Sequence, residues 1–196
     1  MMRLRYGDNF AGSTQVAKLG ETLTLGGAKV TFHPAGHVLG SAQVAVECKG
    51  LTIVASGDYK DAADPTCAPF ELVPCDVFIT EATFGLPVFR HSNADGEIAK
   101  LLHSVAVFPE RAHLVGAYSL GKAQRVIALL RLAGYDAPIY LHGAMEKITS
   151  YYQSRGVPLG ELRPVKGMKK ADLAGTITLA PPSVTSDVWT RRFPDP

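Results

Sequence analysis

Ala42-Gln43-Val44-Ala45-Val46-Glu47-Cys48-Lys49-Gly50-Leu51-Thr52-Ile53-Val54-Ala55-Ser56-Gly57-Asp58 consists of two apolar, Val-rich runs separated by one Lys-Gly pair. Two such runs joined by two residues, the second a glycine, form the pattern of a β-hairpin, because tight two-residue turns need positive φ and glycine adopts it freely. The second run ends in Ser56-Gly57-Asp58, so an acid stands at the carboxyl end of a buried strand. A metal-bridging carboxylate is placed in this way, and so is an aspartate that closes a turn or caps a helix.

Upstream, residues 28–32 read as another strand, followed by Pro34-Ala35-Gly36-His37-Val38-Leu39-Gly40-Ser41. Pro34 and two glycines make this a tight loop between strands, in which backbone geometry holds His37. A neutral imidazole there suits zinc or manganese, although a lone loop histidine is also a common surface residue. His33 would pair with His37 only on a helix, which Pro34 forbids, so it reads as structural. Downstream, residues 58–76 carry Pro65, Pro69 and Pro74 and read as a loop across the sheet edge. A fourth strand at 77–80 then runs into Glu81. One histidine and two acids, each following a strand, point together to a site where each alone does not.

After about residue 90 the period changes. Ile98, Leu101, Leu102 and Val105 form a helical stripe that Pro109 ends. A strand at 113–118 is followed by the stripe Ala123, Val126, Ile127 and Leu130, up to a stop at Gly134. A strand at 139–141, a helix near 145–155 and a strand at 176–179 complete a small parallel α/β unit. Between its first strand and helix lies Gly116-Ala117-Tyr118-Ser119-Leu120-Gly121-Lys122-Ala123, one residue short of the P-loop pattern. Ala123 stands where a magnesium-holding hydroxyl belongs. What remains is a Gly-rich turn at which Ser119, Gly121 and Lys122 could hold a phosphate by backbone N–H groups, or a plain strand-to-helix turn. His91, His103, His113 and His142 form no ligand spacing; His103 lies off its helix's apolar stripe and His142 stands at a strand end.

Hydrophobic residues make up 46% of the 196 and charged residues 19%, which excludes a chain disordered throughout. No apolar run approaches the ~20 residues of a membrane span, and the first residues lack a signal peptide's apolar stretch, so a cytoplasmic protein with no membrane partner is expected. Cys48, Cys67 and Cys75 form no C-x-x-C pair and are expected as buried free thiols. Lys+Arg exceed Asp+Glu by 13 to 8 in residues 97–196 and fall short by 7 to 10 before them, so the second half is the expected polyanion face.

In combination these motifs resemble the β-CASP nucleases of the metallo-β-lactamase fold, most closely their DNA-ligase-associated exonuclease branch, which is similar to mRNA 3′-end processing factors. The match runs through Arg5-Tyr6-Gly7-Asp8-Asn9-Phe10-Ala11-Gly12-Ser13, the loop 35–41, residues 56–60, residues 81–89 and residues 117–124. The fold implied is α/β, an incomplete metallo-β-lactamase (αββα-type) domain over 1–90 and part of an inserted Rossmann-like β-CASP domain over 91–196. The resemblance makes His37 the terminal ligand of one metal and Asp58 the carboxylate bridging two divalent ions, zinc or manganese. Glu81 becomes the acid that orients a catalytic histidine, and residues 119–124 the loop and helix start that face the nucleic-acid backbone.

The activity implied is metal-dependent phosphodiester hydrolysis, as a DNA exonuclease of a ligase-linked repair system, with RNA as the other substrate. The family's H-x-H-x-D-H stretch should precede Arg5, and two further histidines should follow the β-CASP domain; neither is present. The expectation is therefore a central fragment, inactive by itself. The alternatives are a non-catalytic module binding nucleic acid or a partner and, against Ala123, a P-loop nucleotide-binding protein.

Overall fold

A computed structural model of the chain, describing residues 1–90 and 93–196, has Lys49 and Gly50 at φ 50° and 79°, the primed turn that matches the twist of a hairpin. The turn joins β3 (Ala42–Cys48) to β4 (Leu51–Ala55), with Cys48 opposite Leu51. Two further strands, β1 (Thr22–Leu25) and β2 (Ala28–Pro34), meet through Gly26 and Gly27, at φ 57° and 83°. β5 (Val77–Ile79) adds parallel to β4, giving the order β1-β2-β3-β4-β5. This sheet and a one-turn helix, α1 (Met2–Tyr6), make up the unit Met1–Arg90. β2, β4 and β5 run in the same direction, so the loops that follow them leave from one edge.

The first unit buries little apolar volume. Among the described residues its buried apolar side chains are Ala35, Ala45 and Val54, and the remainder of its buried set is Thr31, Gly36, Gln43, Ser56, Asp64 and Thr66. Polar bonds do much of the fastening. Gln43 donates to the carbonyls of Pro34 (3.1 Å) and Glu71 (2.7 Å), and His33 Nδ1 meets Glu71 Oε1 at 2.9 Å, both tying the loop 58–76 to the sheet. The three cysteines are not buried as expected: Cys48 is exposed, and Cys67 and Cys75 are partly exposed. Cys48 closes β3 beside the hairpin turn, and the other two lie on the covering loop.

The second unit, His91–Pro196, is a parallel α/β layer. Its elements are α2 (Ala94–Val107), β6 (His113–Gly116), α3 (Lys122–Leu132), β7 (Ile139–Leu141), α4 (Gly143–Ser154), β8 (Leu162–Pro164) and β9 (Ile177–Ala180). The sheet order is β6-β9-β7-β8 with every pair parallel. Pro164 is tolerated because β8 is an edge strand. Ile127, Leu130, Ile139, Met145, Tyr152, Ile177 and Leu179 are fully enclosed, so this unit holds most of the apolar core. On it rests a second cluster, in which Ala112, Tyr140, Val165 and Leu173 pack with Phe193 near the chain end. His91 lies outside the described residues, and His103 is exposed as expected. Among the described residues no helix is long and apolar enough to cross a membrane.

Candidate catalytic site

His37 follows β2, Asp58 follows β4 and Glu81 follows β5, so strand direction alone delivers all three to one sheet edge. The His37 loop is held by Ser41, whose Oγ accepts from the N–H groups of His37 and Val38, both at 3.1 Å, and whose carbonyl accepts from Ala35. The Asp58 loop then lies directly against it: Lys60 N–H donates to the Ala35 carbonyl at 2.9 Å. Gly36, at φ 69°, makes this approach possible, since a Cβ there would strike the Lys60 carbonyl and come within 2.9 Å of the Phe70 nitrogen.

His37 Nε2 and Asp58 Oδ2 stand 3.9 Å apart, with both side chains open to solvent. Glu81 Oε2 accepts from Thr83 N–H at 2.8 Å. That bond and one from the Thr83 hydroxyl, with a smaller contribution from the Tyr59 N–H, hold the Glu81 carboxyl below the usual range and so ionised at neutral pH. Beside them Tyr59 packs on Phe70 and Phe78.

An imidazole nitrogen and a carboxylate oxygen are the donor types zinc and manganese take, and at bond lengths of about 2.0–2.2 Å both can serve one ion after a small adjustment. The pair therefore fits as part of a ligand set. It falls short of a whole one, because among the described residues no three His, Cys, Asp or Glu side chains gather as a metal-binding group.

In the second unit, the turn 119–122 differs from a phosphate cradle. Gly121 N–H donates to Gln124 Oε1 (2.8 Å), Lys122 N–H to the Leu120 carbonyl (3.0 Å) and Ala123 N–H to the Tyr118 carbonyl (3.1 Å). The N–H groups of Gly121 and Lys122, two of those expected to hold a phosphate, are thus engaged within the turn. Gln124, fully buried, explains the turn: its amide also donates to the Ser119 carbonyl (2.9 Å) and Thr149 Oγ1 (2.8 Å). Lys122 remains exposed at the start of α3, its ammonium 4.8 Å from the centre of the Tyr118 ring. His142 proves to be a helix cap, its Nδ1 accepting from Ala144 N–H at 3.1 Å and its ring resting on Trp189.

No family model matches the chain. A probable DNA ligase of Opitutus terrae is 28% identical over 172 residues, covering 84% of this chain and 16% of that protein. The endoribonuclease YSH1 of Saccharomyces cerevisiae is 31% identical over 146 residues, 68% of this chain and 19% of its own length. The endoribonuclease ysh1 of Aspergillus fumigatus is 33% identical over 136 residues, 67% of this chain and 15% of its own. The chain spans less than a fifth of the length of these relatives. A mixed sheet that brings a histidine and two acids to one edge, a following parallel α/β unit and likeness to both kinds of relative agree with the motifs at 5–13, 35–41, 56–60, 81–89 and 117–124: the chain belongs to the β-CASP nucleases of the metallo-β-lactamase fold.

Proposed function

We propose that the chain is part of a metal-dependent hydrolase that cleaves phosphodiester bonds in DNA, an exonuclease acting at strand ends beside a DNA ligase in cytoplasmic repair. The observation that carries this reading is the 3.9 Å approach of His37 and Asp58, with ionised Glu81 at the same edge. The ligase relative supports DNA as substrate; the endoribonuclease relatives support RNA as the alternative.

His37 offers an imidazole nitrogen from a loop that Ser41 keeps in shape. Asp58 offers an unshielded carboxylate, whose charge two neighbouring cations can share. The chemistry that two zinc or manganese ions would supply here is activation of water and neutralisation of the phosphate charge. Glu81, held by Thr83, serves to orient an imidazole through a hydrogen bond. Lys122 meets the nucleic-acid backbone with its side chain, the N–H groups of Gly121 and Lys122 being engaged within the turn. A second reading, a binding module without catalysis, draws on the two-donor count at the first site.

Joining an H-x-H-x-D-H segment of the family ahead of Arg5 and assaying end-labelled DNA and RNA separates these readings. Cleavage should appear, vanish in Asp58→Asn and fall strongly in Glu81→Gln, with folding retained. Wild-type rates in Asp58→Asn would refute the assignment, and no cleavage in any version would favour the module.

A further inference from the structure

We infer that the segments covering one face of the second sheet carry a further phosphate-contact surface, formed by Lys166, Lys169, Lys170, Arg191 and Arg192, which holds a single strand of nucleic acid by its backbone. Since β6, β7, β8 and β9 are all parallel, the segments that follow them start from one edge, where open α/β sheets bind their ligands, and those after β8 and β9 run back across the sheet, where Gly175 N–H meets the Arg111 carbonyl and Ala112 N–H the Pro194 carbonyl. The turn bearing Lys122 follows β6, His142 follows β7, and the lysine run begins directly after β8.

Residues distant in sequence are joined into this surface by contacts. Lys170 Nζ lies 3.4 Å from the Arg191 carbonyl, and Val165, Leu173 and Phe193 share one buried cluster beneath. Trp189 packs at 5.0 Å on the His142 ring, while the Arg192 guanidinium covers it at 5.1 Å. All five cations are exposed and, among the described residues, none is in an ion pair. The charge balance of this stretch is one-sided: between 166 and 192 these five cations stand against Asp172 and Asp187.

Unpaired surface cations at this density suit a polyanion whose phosphates release counterions on binding. β6 and β8 are three strand spacings apart, about 14 Å at ~4.8 Å each, so a strand of a few nucleotides can touch both the Lys122 turn and the lysine run. An acidic protein segment is the competing occupant. The inference rests on the nucleic-acid role proposed above, but not on cleavage or metal.

Anisotropy titrations of a fluorescent single-stranded oligonucleotide with the full chain, over a range of salt, test it. Lys166→Ala/Lys169→Ala should lower the salt slope by about 1.4, from ~0.7 per phosphate, and weaken binding about tenfold or more at 0.1 M salt. Arg191→Ala/Arg192→Ala should act in the same direction, and the first pair avoids the Lys170 contact should that matter for folding. Wild-type slope and affinity in both double variants, or equal competition by polyglutamate of matched charge, would overturn the surface while leaving the nuclease reading intact. No oligonucleotide binding by the wild type would overturn both.

Discussion

Gly36 decides whether His37 and Asp58 can meet. The Lys60 backbone lies on it, bonded to the Ala35 carbonyl, with no space for a Cβ and with φ at 69°. Gly36→Ala should therefore cost at least about 2 kcal/mol, from the left-handed backbone together with the steric conflict. Hydrogen exchange should quicken across 35–60 and stay unchanged in 113–180; unchanged protection at 35–60 would contradict this role. His37, Asp58 and Glu81 are legible in the sequence because each follows a strand. The close approach at Gly36 is not, since nothing local in Pro34-Ala35-Gly36 says which distant carbonyl will rest on it. Gln124 is similar: its side chain takes up the Gly121 N–H and the Ser119 carbonyl at the very turn that spells a near P-loop.

At the level of elements, the loop 58–76 holds the first sheet through polar groups, chiefly the buried Asp64. Burial alone would raise its pKa, but hydrogen bonds from Lys60 (2.6 Å) and Thr66 (2.6 and 3.0 Å), with the Lys60 charge, hold it below its ordinary 3.8. A carboxyl lowered in the folded state binds protons less readily than when unfolded, so its stabilisation is complete above pH 3.8 and is lost as pH falls through the lower folded value. Urea unfolding followed below pH 4 should show a steep loss of stability in the first unit, flattened in Asp64→Asn; an equally steep acid limb in the variant would contradict it. The hairpin β3–β4 and helices α2, α3 and α4 are legible because period and turn chemistry agree there. β1, β8 and α1 are not: four exposed-edge residues, a three-residue strand ending in proline and a single helical turn carry too little periodic signal. Nor does the sequence near Phe193 announce a core residue, because its partners Ala112, Tyr140 and Leu173 lie far along the chain.

Over the whole molecule, two units divide the labour: a polar-fastened sheet that presents the His37–Asp58 pair, and a better-packed parallel layer that presents cations. The central claim is that His37 and Asp58 act together as donors to one divalent ion. Two protein donors are fewer than the three of a typical catalytic zinc site, so uptake by this chain should be weak and single. Manganese titration of the 196-residue chain, with free ion counted by paramagnetic resonance, tests this most directly. The expected result is at most one weakly held ion per chain, abolished in both His37→Ala and Asp58→Asn while far-ultraviolet circular dichroism is unchanged. Two tightly held ions, or uptake that survives in Asp58→Asn, would contradict it.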